Sequence, residues 1–301
     1  MIERPSLHAL ALFLAVVEHG TMTAAAEAEG ISQPAISAQV KVLERYFGAP
    51  LFQRNGRGVL PTATGQVVTI FAGQILALAD EMGRAVRDLE NLRSGQLVIG
   101  ASSTVGEQFL PTYLGRFHAA YPGVTLEVRI GNTGEITAAV IMRELDFAFV
   151  GRPPEDDTLL AEPIFADEVV AFVAPGDPLL RDGPSDPAAL SGRQYVLRER
   201  GSATRDLALQ CLATSGCDAG HVIELGSNEA VKRAVEAGLG IGLLSTHAIE
   251  SERLAGLLVD LPIREWDCHR SFWLIRRRDR VLTRAEQAFL ALVLQKSKLR
   301  P

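Results

Sequence analysis

Three short segments rich in hydroxyl side chains each lie between an apolar, strand-like run and a helical pattern. They contain Ser102, Ser103 and Thr104 in the first segment, Ser202 and Thr204 in the second, and Ser227 and Asn228 in the third. A helix N-terminus offers unpaired backbone N–H groups, and ligands of open α/β sheets bind where the strands end. These segments predict a small-anion site, to which Arg198 and Arg205 add charge unless they form structural ion pairs. Taken singly, each hydroxyl is also explained as an ordinary N-cap.

A second group of polar side chains lies in and after ISQPAISAQVKVLERYFG, residues 31–48. Gln33, Ser37 and Gln39 carry short polar groups suited to base edges, and Pro34 can pack on a thymine methyl group. Candidate phosphate contacts, which position a protein on DNA without reading its sequence, are Lys41, Arg54, Arg57, Thr62 and Thr64. The pattern predicts a DNA-reading helix, although any one of these residues is also explained by a solvated helix face.

The apolar spacing before and within this segment predicts three short helices with tight turns. They cover residues 6–19, 23–30 and 32–48, with Ser6, Thr23 and Ser32 as N-caps and with Gly20 and Gly30 as stops. Ile36, Val40, Leu43 and Phe47 share one face of the third helix, and we expect them to be buried. Two helices joined by so short a turn are typical of a helix-turn-helix motif.

A hairpin and a long helix follow. Asn55-Gly56 is a strong turn signal between Arg54 and Arg57, which predicts a β-wing presenting two guanidinium groups. The next helical pattern begins at Thr62 or Thr64, reaches about Leu92, and has apolar residues near heptad spacing at Val67, Phe71, Ile75, Leu78, Met82, Leu89 and Leu92. Such a stripe must be covered, and we expect a dimer partner to cover it; the alternative is packing on the same chain.

The rest of the chain alternates strand-like and helical runs. The strand-like runs are 97–101, 124–130, 147–150, 169–173, 195–197, 222–225, 241–244 and 272–275. The helical runs are about 105–119, 134–143, 204–214, 228–238 and 283–297. This alternation predicts mainly parallel sheets covered by helices, in two sub-domains.

The formal net charge of −6 argues against a nucleic-acid partner only if charge is spread evenly. Residues 1–30 are net acidic, whereas residues 31–65 carry Lys41, Arg45, Arg54 and Arg57 against Glu44. The N-terminal apolar run is too short to span a bilayer and lacks a basic region or a cleavage site. We therefore expect a cytoplasmic protein with no membrane partner.

The sequence disfavours cofactor chemistry. Cys211, Cys217 and Cys268 predict buried or idle thiols with no disulfide framework, and no nearby His or Cys pair completes a zinc site. No G-x-S-x-G elbow, P-loop or H-E-x-x-H motif occurs, and GLGIGLLS lacks the spacing of a dinucleotide-binding turn. We expect neither an enzyme nor a metal or other cofactor.

These motifs resemble those of the LysR-type bacterial transcriptional regulators, and the resemblance covers the whole chain. AAAEAEGISQPAISAQVKVLERYFGAPLFQRNGRGVLPTATG is similar to the winged helix-turn-helix of that family, including its Leu-Phe-x-Arg wing and the following Thr-x-x-Gly. LRERGSATRD (197–206) and LGSNEAVKRAVEAGLGIGLLS (225–245) are similar to two stretches of its effector domain.

The resemblance implies an N-terminal all-α winged helix-turn-helix with a long linker helix, then a C-terminal α/β effector domain of two lobes like a periplasmic binding protein. By that similarity the DNA-binding domain is 1–65, the linker 62–93 and the effector domain 96–301, with lobe I at 96–164 and 268–301 and lobe II at 165–267. It implies a sequence-specific regulator of promoter DNA, switched by a small carboxylate, phosphate or sulfur oxyanion between the lobes. It further implies a dimer of dimers, Thr133 as an effector contact, and RNA polymerase as a further partner.

Two residues depart from patterns within the family. Many relatives carry an Arg that can contact guanine where this chain has Ala38, so its operator preference should differ. Ala203 occupies the place of the reactive Cys of the peroxide-sensing branch, which disfavours that branch. The effector segments resemble the sulfur-assimilation and sulfite-responsive branch, whereas GRPPE (151–155) resembles the carbon-fixation branch, and both stay open.

Two other binding functions compete with this interpretation. A solute-binding protein would need an export signal and would leave residues 1–65 unexplained. A DNA-bending protein without an effector would show no thermal shift with any small anion.

Overall fold

The computed structural model of the chain describes residues 4–56, 58–88, 95–181 and 185–297. The chain divides into two compact units. The first extends to Arg87 and includes the segment Met142–Glu144, and the second holds the remaining residues.

Three short helices begin the first unit: α1 (Leu7–His19), α2 (Met22–Ala28) and α3 (Gln33–Phe47). Ser6 caps α1 by accepting a hydrogen bond from Ala9 N at 3.1 Å. The predicted cap of α2 is wrong, because Thr21 is the last extended residue before the helix and accepts from Ala24 N at 3.0 Å. Ser32 occupies the N-cap position of α3, but its side chain makes no capping hydrogen bond.

The inner face of α3 is shorter than predicted. Ile36, Val40 and Leu43 are buried in the core formed with α1 and α2. Phe47 is 40% exposed, so its predicted burial is wrong. It lies on the last turn of α3, where it lines an apolar surface pocket together with Tyr46 and Phe71 instead of entering the core.

The predicted wing is confirmed as the antiparallel hairpin β1 (Phe52–Asn55) and β2 (Gly58–Pro61). Thr62 follows it and caps the next helix, since its hydroxyl accepts from Gly65 N at 3.0 Å and donates to Pro50 O at 2.7 Å. A Cβ atom on Gly65 would lie 2.1 Å from Leu51 O. The Thr-x-x-Gly motif therefore allows the start of this helix to pack directly on the backbone before the wing.

The long helix α4 (Ala63–Asp88) completes the first unit. Leu89 and Leu92, which were expected to extend its apolar stripe, lie outside the described residues. The stripe on the described helix is exposed and consists of Val67, Ile70, Phe71, Ile75, Leu78, Met82 and Val86. Val68 and Ala72, on an adjacent face, are buried against the three short helices.

The second unit contains an α/β fold. Its strands are β3 (Gly95–Ser102), β4 (Val124–Gly131), β5 (Phe147–Val150), β6 (Leu159–Val173), β7 (Gln194–Arg198), β8 (His221–Leu225), β9 (Ile241–Ser245), β10 (Val259–Asp260) and β11 (His269–Arg277). Its helices are α5 (Leu110–Ala120), α6 (Thr133–Ile141), α7 (Ala203–Thr214), α8 (Asn228–Glu236), α9 (Glu250–Leu254) and α10 (Arg284–Ser297). Every strand-like run predicted from the sequence lies within one of these strands.

The sheet is mixed, which corrects the prediction of mainly parallel sheets. Its strand order is β4-β3-β5-β11-β6-β9-β7-β8, with β10 paired to β6. The groups β4-β3-β5 and β9-β7-β8 are parallel, but β11 and β6 run antiparallel to their neighbours at the centre. Because β11 comes from late in the chain and inserts between β5 and β6, the order of elements along the sequence does not reveal it.

Each parallel group has its own hydrophobic core. Phe117, Phe147 and Phe289 belong to the core over the β4-β3-β5 side, and Tyr195 and Leu243 to a core over the β9-β7-β8 side. The predicted helix at 105–119 begins instead as a π-helical turn, Val105–Phe109, before α5. Pro111 at the start of α5 lacks an N–H group, which prevents a continuous α-helical hydrogen-bond ladder.

The cysteines differ from the prediction. Cys211 of α7 and Cys268, immediately before β11, form a disulfide, with Cα atoms 5.8 Å apart. The expectation of idle thiols missed this pair because the two residues are separated by 57 positions and meet only when α7 packs on the sheet. Cys217 is a free, buried thiol 3.2 Å from the Tyr195 hydroxyl.

Candidate functional site

A small cavity in the second unit brings together most of the side chains predicted to bind an anion. Its volume is about 10 Å³, and it is lined by Ser102, Ser103, Thr104, Asn132, Thr133, Gly151, Arg198, Ser202, Ala203, Thr204, Arg270 and Phe272. These residues come from the ends of β3, β4, β5 and β7, from the turns that follow, and from β11. That volume holds about one water molecule, so the polar groups of the cavity lie close together in this structure.

Arg198 is the buried centre of the polar contacts in this cavity. Its guanidinium donates to Ser103 Oγ at 3.1 Å and to Asn228 Oδ1 at 2.5 Å. It also forms two bonds to the Glu199 carboxylate at 2.8 and 2.9 Å. Burial opposes the charge on Glu199, but the hydrogen bond and charge of Arg198, a backbone hydrogen bond and the contact with Asn132 together lower the pKa of that carboxyl.

A second buried arginine, Arg270 on β11, was missed by the sequence reasoning. Its Nε donates to Asp167 Oδ2 at 2.7 Å, and its guanidinium carbon lies 4.6 Å from the centre of the Phe272 ring. Burial lowers the pKa of Arg270, Asp167 opposes that shift, and the nearby charge of Arg198 adds to it. The available signal was a single Arg two positions before Phe272, on the same face of an apolar strand.

Two polar atoms of this cavity have no hydrogen-bond partner among the described residues. They are Ser102 Oγ and Arg270 Nη2, both on buried side chains. An unsatisfied buried donor costs about 1–3 kcal/mol, and a charged one costs more, so these two atoms favour a hydrogen-bond acceptor beside them. Two guanidinium groups at one cavity favour an anion. Within the described part of the chain, no cluster of His, Cys, Asp or Glu is arranged to hold a metal ion.

Three predicted effector residues are not among the residues that line the cavity. Arg205 donates to Arg198 O at 2.9 Å and pairs with Glu224 at 3.2 Å. Asn228 supports Arg198 and donates to Glu107 Oε2 at 3.0 Å, and Ser227 caps α8 through Ala230 N at 3.1 Å. Arg205, Ser227 and Asn228 therefore contact the backbone or the side chains around the cavity and do not line it.

The walls of the cavity require small residues. A Cβ atom on Gly151 would lie 2.8 Å from the Ala203 Cβ and 3.2 Å from Arg270 Nη1. Thr133 lines the same wall, and its hydroxyl accepts from Gly151 N at 3.2 Å. Opposite walls are joined where Gly134 N donates to Gly201 O at 3.0 Å.

The first unit presents the predicted DNA-reading residues on α3. Gln33, Pro34 and Lys41 are exposed, and Ser37 is half-buried beside them. Gln39 is half-buried and lies on the other side of the buried face that Ile36, Val40 and Leu43 form. Arg45, which was not proposed as a contact, is exposed one turn after Lys41 and donates to its carbonyl at 3.3 Å.

The wing and the start of α4 hold the remaining predicted DNA contacts. Arg54 is exposed on β1, opposite Val59. Arg57 lies outside the described residues. Thr62 uses its hydroxyl within the protein as the cap of α4, whereas Thr64 is half-buried and lines the apolar pocket near Phe47.

Family models match both units. Residues 7–66 match the bacterial regulatory helix-turn-helix protein model of the lysR family, and residues 90–298 match the LysR substrate binding domain. The chain belongs to the LysR family of bacterial regulators. The predicted fold class is thereby confirmed, as is the expectation that the protein is a DNA-binding transcriptional regulator and not an enzyme.

Named LysR-family relatives include HTH-type transcriptional regulators and a probable RuBisCO transcriptional regulator. The chain is 36% identical over 299 residues to the HTH-type transcriptional regulator CbbR of Sinorhizobium medicae, covering 96% of this chain and 92% of the relative. It is 30% identical, with a TM-score of 0.64, to the Synechocystis CcmR regulatory domain solved in complex with 2-PG, covering 69% of this chain and all of that domain. Full-length CbnR, solved with its target DNA, has the same fold at 21% identity and a TM-score of 0.73, over 97% and 99% of the two chains.

Proposed function

We propose that this LysR-family regulator is switched by a small oxyanion held in the cavity between Arg198 and Arg270. The observation that carries the proposal is the pair of unpartnered buried donors, Ser102 Oγ and Arg270 Nη2, at a cavity with two guanidinium groups. An oxyanion accepts hydrogen bonds from both donors, while Glu199 and Asp167 pair with the two guanidinium groups from the other side. Of the anion classes expected from the sequence, the 2-PG complex of CcmR favours an organic phosphate.

The binding roles divide into direct and supporting residues. Ser102, Ser103, Thr104, Thr133, Ser202 and Thr204 line the site with Arg198 and Arg270, while Arg205, Ser227 and Asn228 hold the lining in place. On this proposal the effector domain comprises lobe I at 96–164 and 268–301 and lobe II at 165–267, because β6 and β11 connect the two parallel groups of strands. The ligand contacts both lobes and stabilises their closed arrangement.

Ser102→Ala and Thr204→Val should each weaken 2-PG and phosphate binding by about tenfold or more, since each removes one hydroxyl from a buried polar site. Operator binding without effector should stay unchanged, because both residues lie in the effector domain. Isothermal titration calorimetry with 2-PG and inorganic phosphate measures the first effect, and an operator mobility-shift assay measures the second.

Thr214→Val is the matched control, because Thr214 lies at the far end of α7 and its hydroxyl donates to Cys211 O at 3.0 Å. Its ligand affinity should equal that of the unmodified protein. Unchanged affinity in both site variants would contradict the assignment of the cavity.

The DNA-reading proposal places base contacts on α3 and phosphate contacts on α3 and the wing. Gln33, Pro34, Ser37 and Gln39 are the base-reading candidates, with Lys41, Arg54, Arg57, Thr62 and Thr64 as phosphate candidates. Gln33 and Ser37 are the first candidates to test, since both lie in the first turns of α3, with Gln33 exposed and Ser37 half-buried. Exposed Ala38 shares this surface without a polar group.

Gln33→Ala and Ser37→Ala should each reduce operator affinity by about 1–3 kcal/mol and relax sequence preference at one base pair. Arg54→Gln serves as the contrast, because loss of a phosphate contact weakens all sequences similarly and lowers the salt slope by about one. Fluorescence anisotropy on operator and scrambled DNA at several salt concentrations separates the two patterns. Retained preference in both α3 variants would show that another surface reads the bases.

Self-association through α4 is part of the proposed function. The exposed stripe runs along the described length of α4, and the linker/dimerisation segment expected at 62–93 contains it. A two-fold partner would bury this stripe, and a dimer of dimers would then place two pairs of recognition helices on promoter DNA. A cytoplasmic location and contact with RNA polymerase remain predictions that follow from this role.

A further inference from the structure

A chain of charged contacts leads from the surface of the effector domain to the anion cavity. His247 is 44% exposed, and its Nδ1 lies 3.2 Å from Asp167 Oδ1. Asp167 is fully buried, and its other oxygen accepts from Arg270 Nε at 2.7 Å. Arg270 then ends at the cavity with Nη2 unpartnered. Neither Asp167 nor His247 lines the cavity itself.

Asp167 holds Arg270 in a defined position and remains charged while doing so. Ser245 Oγ donates to Asp167 Oδ1 at 2.6 Å, which leaves the second oxygen for Arg270. Burial opposes the charge of Asp167, but the contacts from His247, Arg270 and Ser245 together lower the pKa of the carboxyl. With a neutral imidazole, the charges of Asp167 and Arg270 cancel. With a protonated imidazole, the group carries one net positive charge.

We infer that Asp167 is a positioning residue for the anion-binding Arg270, and that protonation of His247 strengthens anion binding through it. This inference rests on the proposed function of the cavity. Imidazole is the side-chain group most commonly used as a pH-responsive charge in proteins, so pH is the variable that tests the inference. Affinity for an anion of constant charge therefore rises as pH falls, and bound anion in turn favours the protonated imidazole.

Other ionisable groups lie on the elements packed around His247. Glu168 is the neighbour of Asp167 on β6, Glu107 lies on the π-helical turn that carries Phe109, and Glu250 and Glu252 lie on α9. Phe109 contacts the imidazole ring with centroids 4.7 Å apart. Glu107 accepts from Asn228, and Glu252 accepts from Lys232 at 2.7 Å. None of these carboxylates is among the residues that line the cavity.

The test measures the dissociation constant of sulfate by calorimetry at about pH 8 and about pH 6, with constant ionic strength. Sulfate is chosen because its own charge is constant over this range, unlike that of phosphate. The full-length protein should bind sulfate roughly three- to tenfold more tightly at the lower pH, the size expected for a screened charge–charge coupling of up to about one pKa unit. His247→Gln should bind at the higher pH like the unmodified protein and lose most of the dependence.

His269→Gln is the matched control, since His269 also pairs with an acid, Asp267 at 2.8 Å, but is exposed and lies beside Arg270 only in sequence. The hydrogen bond that the His269 ring donates to the Asp267 carboxylate raises the pKa of His269, so this control also removes an acid-paired imidazole. The control variant should keep the full pH dependence. Asp167→Asn keeps an oxygen that can accept from Arg270 Nε, whereas Asp167→Ala removes the acceptor, so sulfate should bind more weakly to Asp167→Ala than to Asp167→Asn if Asp167 positions Arg270.

The outcomes separate this inference from the function on which it rests. Sulfate binding that is equally tight at both pH values, or a pH dependence that survives His247→Gln, would overturn the inference and leave the anion site standing. If the pH dependence of sulfate binding were lost in His269→Gln and kept in His247→Gln, the effect would come from His269, and the inference about His247 would be wrong. No sulfate, phosphate or 2-PG binding at either pH would contradict the proposed function itself.

Discussion

Replacing Arg198 with Met should abolish the effector response and destabilise the effector domain. The substitution removes one of the two guanidinium groups at the cavity and leaves Asn228 Oδ1 and the half-buried Glu199 without their donor. Loss of charge-assisted bonds of this kind costs about 2–4 kcal/mol in unfolding free energy, with Glu199 contributing little because it is partly solvated. Binding of 2-PG or phosphate should weaken by about 100-fold, equivalent to about 2.8 kcal/mol.

Urea denaturation and calorimetry on the full chain measure the two effects separately. Arg200→Met is the matched control, because Arg200 lies two residues further along and is exposed. That variant should keep both the stability and the affinity of the unmodified protein. Anion affinity retained in Arg198→Met would mean that Arg198 only supports the fold, and that Arg270 alone attracts the ligand.

Two acidic substitutions on α4, Phe71→Glu with Leu78→Glu, should convert the assembly to monomers. Phe71 and Leu78 are 59% and 49% exposed and lie one above the other on the apolar stripe. In a symmetric dimer the new carboxylates would meet their own copies in an apolar interface, where unpaired charge costs several kcal/mol. Operator affinity should fall by about 100-fold or more, because two half-sites are no longer linked in one molecule.

Analytical ultracentrifugation measures the change, with Gly73→Glu as the control. A side chain added at Gly73 meets no atom within 4 Å, and the position lies away from the stripe. The same stretch, Ala63–Gly83, is long and apolar enough to cross a membrane, with a mean hydropathy of 1.2. A monomeric unmodified protein that partitions into lipid vesicles would therefore contradict the dimer interface and favour the membrane.

Local patterns predicted much of the fold correctly. The helix-turn-helix, the wing and each strand-like run follow from turn residues and apolar period, which act over a few neighbouring residues. The exposed side of α4 was also visible as a stripe at Phe71, Ile75 and Leu78. Phe47 was placed wrongly because an apolar residue at the right period can face either the core or another surface, and period alone does not distinguish them.

The contacts between residues far apart in sequence could not be predicted, for a different reason. Arg270 joins Arg198 at the cavity only because β11 inserts into the centre of the sheet. The Cys211–Cys268 disulfide depends on the packing of α7 against that same region. The hydroxyl-rich turns were predicted because each follows its own strand. The charge of Arg270 reaches the cavity on β11, a strand distant in sequence from the other site residues, so no local sequence pattern indicated its role.

The two central strands also determine where the effector domain can bend. Among the described strands, only β6 and β11 connect the two parallel groups, so a rotation of one group against the other must be absorbed there. The register between these strands shifts between Phe272 and Trp273, where Phe272 pairs with Phe165 and Trp273 with Pro163. Phe272 also lines the cavity. If the proposed anion binds in this cavity, it contacts Phe272 and so lies against the strand pair about which the two groups would rotate.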